Sequence, residues 1–299
     1  MYLYVTTLAK NLPLMNFVSA IPFFIYLMRH PIVQRMMMPS LKAKVGVGKI
    51  KGVVGQIVGQ RFGENKVVRE DMIQSFIKNG LTQGEIADEG MLQLFAGSDT
   101  TSTVLRSGLF YIITNPRVCT RLQAECDASG VPLTEIISAA KGPTLPYLNA
   151  CVKEALRYHP AGTGLLPRVV GPNGDYHEGK YLPPGTTIGF CGWNVFKNNS
   201  AYGPDYSEFR PERWFDADPE RLARMEKAHD LVFGYGRYKC MGEKIARIEL
   251  HKAIFELIRR FNFTAVDAMK PFDQYENHGV FVQHGLWVRA EERVPKTKE

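Results

Sequence analysis

The apolar positions of this chain fall mainly at helical spacing, and runs of period two are confined to short pieces. The clearest stripe is Leu250, Ala253, Ile254, Leu257, Ile258 and Phe261, backed by Lys252, Glu256, Arg259 and Arg260. It predicts an amphipathic helix that begins near Glu243. Elsewhere punctuation sets the bounds. Thr82 with Glu85 three residues on reads as a capping box, and Asn115 before Pro116 ends the long helix that it opens. Helices are also expected from about Val118 towards Ser129 and from Pro146 to His159, where Pro160 stops the second. From Leu165 to Phe190 the pattern changes to short strands, turned at Pro172-Asn173-Gly174 and Pro183-Pro184-Gly185. Two more strands are expected around His284-Gly285. The fold class is therefore mainly α with a minor β component.

Residues 1–65 read as helices broken at Pro22, Pro31 and Pro39, with a glycine-punctuated stretch from Gly46 to Gly59. They lead up to a core formed by residues 66–299, with no internal repeat and no low-complexity linker between them. Leu12 to Met28 is apolar, yet Pro13, Asn16, Ser19 and Pro22 interrupt it. A spanning helix wants about 20 mostly apolar residues, so this segment reads as buried or lying on a membrane surface, and no anchor is evident. The middle of the long helix is anomalous. Gly97-Ser98-Asp99-Thr100-Thr101-Ser102-Thr103 sets poor helix formers in a row, several of which compete for backbone hydrogen bonds. Such a breach of local rules points to function or strain.

With 299 residues and 45% hydrophobic content the chain can bury a large core. Its five cysteines form no C-x-x-C pair, and their odd number speaks against a disulfide framework and against structural zinc. The net charge of +7 is spread out, without the basic block that a nucleic-acid surface needs. An acidic protein partner or an anionic membrane face fits this distribution better.

One cysteine has a setting that packing alone does not require: Phe233-Gly234-Tyr235-Gly236-Arg237-Tyr238-Lys239-Cys240-Met241-Gly242, running straight into the helix at Glu243. Gly236 and Gly242 remove side chains where backbone must approach a flat cofactor, and Phe233 can shield the sulfur. The helix N-terminus favours the thiolate. A sulfur so placed suits an axial ligand to haem iron, the competing reading being a buried free cysteine at a helix start.

Four motifs in this order resemble those of the cytochrome P-450 family, the haem-thiolate monooxygenases: Ala96-Gly97-Ser98-Asp99-Thr100, Glu154-Ala155-Leu156-Arg157, Phe209-Arg210-Pro211-Glu212-Arg213-Trp214 and the Cys240 loop. The wording of that loop is similar to fungal members of the pisatin demethylase type. The resemblance implies haem b bound by Cys240, with Phe233, Gly234, Gly236, Gly242, Ala96 and Gly97 around it and Arg168 reaching a propionate. It further implies that Asp99 and Thr100 deliver protons, and that Glu154, Arg157 and Arg213 form a buried structural network. Without it, Gly97 reads as a helix-packing glycine, Glu154 and Arg157 as a surface ion pair, and Arg168 as a strand-end surface arginine. One departure stands out. Two residues before the cysteine the family has arginine or histidine, whereas this chain has Tyr238.

By the same resemblance, substrate contacts would come from Phe95, from Thr163 to Leu166 (Leu165 included), and from Val280 and Phe281; their mostly apolar character implies a lipophilic substrate. The implied activity is insertion of one oxygen atom from O2, in fungal secondary or xenobiotic metabolism, with electrons from NADPH through a flavoprotein reductase, at the cytosolic face of the endoplasmic reticulum membrane. Only the C-terminal part of the family's fold is expected here, so two alternatives remain: a catalytically silent haem-binding fragment, and a haem-thiolate isomerase or dehydratase that needs no O2.

Overall fold

The computed structural model describes residues 14, 18, 21–33 and 46–293. The break expected at Pro39, and most of the apolar segment before Pro22, lie outside them. The described helices are α1 (Pro22–Arg29), α2 (Gly46–Gly59), α3 (Met72–Lys78), α4 (Gln83–Ile113), α5 (Pro116–Ala128), α6 (Pro146–Tyr158), α7 (Gly192–Phe196), α8 (Asn199–Tyr202), α9 (Arg213–Asp216), α10 (Pro219–Asp230) and α11 (Glu243–Arg260). The strands are β1 (Arg168–Val169), β2 (Asp175–His177), β3 (Lys180–Leu182), β4 (Thr187–Ile188), β5 (Phe261–Ala265), β6 (Gln274–Asn277), β7 (Phe281–His284) and β8 (Val288–Glu292). Residues 1–99 and 100–299 form two compact units whose boundary falls inside α4.

In the first unit, α2 is a helix in spite of its glycines. Val54 and Val58 are buried with Ile86 and Met91, and Val47, Ile50, Phe76 and Phe95 pack against them. Burial of that apolar face outweighs the poor helix propensity of glycine. Pro22 opens α1 as its first residue, where a missing N–H costs nothing. The start of α4 is the capping box: the Glu85 carboxylate accepts from the Thr82 N–H at 2.8 Å, and the Thr82 hydroxyl accepts from the Glu85 N–H at 3.3 Å. Asp71 caps α3 and also takes a bidentate contact from Arg61 at 2.6 and 3.0 Å.

The second unit is built on α5, α6 and α11, which pack with residues of α4 around Val104, Leu109, Ile112, Leu122, Leu148, Val152, Ile254 and Ile258. Close approach needs small residues. A Cβ added at Gly108 would lie 2.8 Å from that of Ala155. On α11 the buried residues are Leu250, His251, Ile254, Phe255, Ile258 and Arg259, which differs from the expected stripe. Arg259 faces inward because its guanidinium reaches Glu256 and the carbonyls of Val131, Pro132 and Glu135. Phe261 is already in β5.

All strand pairs are antiparallel. β1 pairs with β4, β2 with β3, β5 with β8 and β6 with β7. The two strands expected around His284 therefore do not pair with each other. β7 takes a partner that the sequence hid, since β6 is exposed throughout and carries no apolar alternation, whereas β8 pairs with β5, whose burial alternates.

A buried junction joins α4, α6 and β7. Arg106 lies 3.5 Å from the Gln283 side-chain oxygen, so the amide nitrogen donates to Ser107 Oγ at 2.8 Å and to His159 Nε2 at 2.9 Å. His159 thus accepts, in its neutral form. Burial, with a smaller contribution from the Lys197 charge, pushes its pKa from 6.5 down to about 4; burial likewise pushes His229 down to about 3.

A native histidine that resists protonation loses stability as pH falls below its unfolded value, until its own pKa is reached. The unfolding free energy should therefore decline from about pH 6.5 downward, by up to about 1.4 kcal/mol per pH unit for each such histidine. Denaturant titrations across that range check this, and His159→Gln should show a shallower slope between about pH 6.5 and 5.5, where carboxylates contribute little.

Candidate functional site

The segment between α10 and α11 is shaped by turns rather than by regular structure. A 3-10 turn at Leu231–Phe233 leads to Gly234 at φ 77°, Gly236 follows at φ 68°, and a second 3-10 turn spans Gly236–Tyr238. Both positive values lie in the region that favours glycine. The loop closes when the Cys240 N–H donates to the Phe233 carbonyl at 2.7 Å. Cys240 is left exposed just before α11, and a Cβ at Gly242 would sit 3.7 Å from its sulfur. Met241 is 71% and Ile245 57% exposed, so the open thiol stands among uncovered apolar side chains, as expected of a ligand surface. Cys191 is also exposed, but it precedes only the short α7 and lacks such a loop.

Cations line the loop. Glu243 accepts from Lys239 at 2.8 Å and from Arg247 at 3.0 Å; burial pushes its carboxyl up, but these two bonds hold it below the usual range. The Arg247 guanidinium lies 4.9 Å over the Phe233 ring. Arg168 is exposed at the start of β1, and its guanidinium stands 4.9 Å over the Tyr238 ring, which sets the β1–β4 strand pair beside the loop.

Glu154, Arg157 and Arg213 lie together and are almost wholly buried. Glu154 accepts from Arg157 at 2.8 and 2.9 Å, from Arg213 Nε at 3.0 Å, from the Arg210 N–H at 2.9 Å and from the Trp214 indole at 3.1 Å. Arg157 also donates to the carbonyls of Phe196, Tyr206 and Glu208. Arg213 donates to those of Tyr202, Asp205 and Glu208 and to the Asp205 carboxylate. Burial raises the Asp205 carboxyl, but bonds from Arg210 and the charge of Arg213 outweigh that and lower it. Sequence reasoning missed Trp214, Asp205 and the carbonyls; the Phe-Arg-Pro-Glu-Arg-Trp motif carried the first of these. Trp214 packs edge-on against His229 at 5.2 Å, and His229 Nε2 meets the Lys153 carbonyl at 3.2 Å. His229 lies in the last turn of α10, which leads into the cysteine loop. The network thus braces the loop from behind.

On α4 the run of poor helix formers stays helical. The Ser98 hydroxyl donates back to the Leu94 carbonyl at 2.7 Å, relieving a competing donor. Ala96 and Gly97 are exposed, and a Cβ at Gly97 would meet nothing within 4 Å, so packing does not require that glycine. Asp99 is buried and Thr100 half-buried. Phe95 packs partly on the core of the first unit.

The other expected substrate residues form one platform. The Gly279 carbonyl accepts from the N–H groups of Thr163 and Gly164 at 2.8 and 3.0 Å, Gly162 bridges Val280, and the Thr163 hydroxyl bonds Asn277 at 2.8 Å. Leu165 and Leu166 are exposed, Val280 is half-buried, and Phe281 is enclosed by the rings of His159, Tyr275 and Trp193.

The family model described as Cytochrome P450 matches residues 14–286. Among curated proteins, cytochrome P450 monooxygenase ABA1 of Pyricularia oryzae is 40% identical over 267 residues, covering 88% of this chain and 52% of that protein. Cytochrome P450 monooxygenase aba1 of Botryotinia fuckeliana is 32% identical over 256 residues, covering 85% and 50%. Pisatin demethylase of Fusarium vanettenii is 36% identical over 200 residues, covering 67% and 38%. The chain spans about half the length, or less, of these relatives.

Removing one partner of a buried charge network leaves the others unpaired, at a cost of about 3 to 5 kcal/mol. Glu154→Ala should lose that much by denaturant unfolding, or fail to accumulate as soluble protein. Glu220→Ala, which breaks an exposed pair with Arg224, should change stability by under about 1 kcal/mol.

Proposed function

The chain belongs to the cytochrome P450 family, and on that premise we propose that it works as a haem-thiolate monooxygenase, inserting one oxygen atom from O2 into a lipophilic organic substrate. The observation that carries this is Cys240: an open thiol, on a loop held by positive-φ glycines, at the start of a long helix. The residues around it fit haem b, since an exposed sulfur among uncovered apolar side chains, with cations nearby, matches a flat apolar body that carries carboxylates at its edge. When bound, the thiolate-ligated iron supplies activation of O2.

The protein's own share is ligation, shielding and proton delivery. Cys240 would hold the iron, and Phe233, whose carbonyl accepts from the Cys240 N–H, would shield the sulfur. Asp99 and Thr100 pass protons from solvent, a buried acid followed by an alcohol on the same helix. Leu165, Leu166 and Val280 offer apolar contact to the substrate. In the whole protein, electrons come from NADPH through a flavoprotein reductase, and the chemistry belongs to fungal secondary or xenobiotic metabolism. No described helix is long and apolar enough to cross a membrane. Exposed Phe23, Tyr26 and Leu27 on α1 can rest on a membrane surface, at the cytosolic face of the endoplasmic reticulum in the whole protein.

Cys240→Ser should abolish the thiolate signature of the reduced carbonyl complex, and an unchanged spectrum overturns the proposal. In a whole-length form, Thr100→Ala should keep its haem while product per electron falls at least about tenfold and peroxide rises. An unchanged yield per electron would remove Asp99 and Thr100 from proton delivery.

A further inference from the structure

Strand β7 has little besides its own partner to hold it as a sheet. It belongs to a pair of strands, and that partner, β6, is exposed throughout. Two-stranded pairs are marginal on their own, yet Phe281, Val282 and Gln283 of β7 are all buried. The alternation of a strand sends Phe281 and Gln283 to one face. His159, at the end of α6, meets both: its ring lies 4.2 Å from that of Phe281, and its Nε2 is 2.9 Å from the Gln283 amide nitrogen. The same amide reaches Ser107 at 2.8 Å and Arg106 at 3.5 Å, both on α4. Gln283 is 1% and His159 2% exposed, which leaves no solvent at hand to replace a lost partner. A slip of one residue would turn Gln283 to the other face and set Val282 or His284 in its place. Ser107 and His159 would each lose a buried partner. The apolar side chains of β7 tolerate such a slip, and the amide does not.

We propose that His159 and Gln283 are positioning residues that key the register of β7, and so decide which side chains stand ready for a substrate, a role that rests on the monooxygenase reading above. Setting register is the best-attested use of a buried polar group. The effect falls at the tip of the β6–β7 hairpin. There Thr163 and Gly164 donate to the Gly279 carbonyl, the Phe281 N–H donates to the Ala161 carbonyl at 3.3 Å, and Gly162 pairs with Val280. These main-chain bonds form only if Gly279 and Val280 arrive in step with residues 161–164. They are blind to side chains and would accept any residue that came. The amide of Gln283, locked between α4 and α6, supplies the missing information. An apolar surface discriminates between molecules by shape only while it does not yield, and His159 with Gln283 keeps it from yielding.

The test has one arm without haem and one with it. In the 299-residue chain, amide hydrogen exchange follows Thr163 and Gly164, with Phe263 and Thr264 of the β5–β8 pair as controls. His159→Phe keeps a ring beside Phe281 but cannot accept, and Gln283→Leu removes the amide. Either should speed exchange at Thr163 and Gly164 at least about tenfold while the controls stay put. Gln283→Glu, whose carboxylate can accept from Arg106, from Ser107 and from a His159 protonated on Nε2, should keep the slow rates. Should Gln283→Leu not fold, Ser107→Ala, which removes one acceptor, decides in its place. Unchanged rates at Thr163 and Gly164, or rates that rise equally in the controls, overturn the key. In the haem-loaded whole-length form the probes are imidazole and 4-phenylimidazole, which share the binding nitrogen and differ by an apolar ring. The preference for the larger probe should fall at least about tenfold in His159→Phe, the scale of a misplaced methylene, and hold in Gln283→Glu. A general loss of stability would weaken both probes alike. Cys240→Ser separates the levels. If the thiolate signature is lost there while the preference in His159→Phe equals the parent's, only the positioning role falls; if the signature persists, the monooxygenase reading falls and takes that role with it.

Discussion

One carboxylate holds this structure's functional half together. Glu154 is fully buried and takes five hydrogen bonds, from Arg157, Arg210, Arg213 and Trp214. An isolated ion at that depth is prohibitively costly, and two arginines beside one acid would reverse the imbalance rather than cure it. Asp205 supplies the second negative charge through Arg213. The guanidinium forks then use their remaining donors on the backbone carbonyls of residues 196–208. A lysine could not do this, since it offers a point charge in place of a planar fork. The irregular chain between α8 and α9 is thereby fixed through its carbonyls, without being a helix.

Contact from that network runs through Trp214 to His229, in the helix that leads into the cysteine loop. What the loop gains is an open thiol, unlike the sulfurs packed in the core. Burial pushes Cys126 up to about 12 and also raises Cys119 and Cys151, so those sulfurs stay protonated and inert. Cys240 is instead exposed, because its loop turns outward at two glycines and closes on the Phe233 carbonyl. A strong buried network and an exposed reactive group are therefore parts of one arrangement: the first fixes the path of the chain so that the second can be left open.

Local punctuation was legible in the sequence. The capping box at Thr82 and Glu85, the proline stops and the cysteine loop could all be read from neighbouring residues, because each depends on contacts within a few positions. Three features were not. The helix at Gly46–Gly59 forms against glycine propensity because its valines find a core. Arg259 looks like a solvent residue by type, yet distant carbonyls draw it inward. Strand β6, rich in polar residues, exists only because β7 pairs with it. In each case the deciding partner lies far along the chain, where no local pattern points to it.

The two N–H groups that share the Gly279 carbonyl have a consequence for how this protein can change over generations. The platform that presents Leu165, Leu166 and Val280 is fastened by main-chain atoms and by the Thr163–Asn277 bond, not by the side chains it displays. Selection can therefore rewrite those side chains while the frame beneath stays the same. Diversity of surface and constancy of fold are inherited separately.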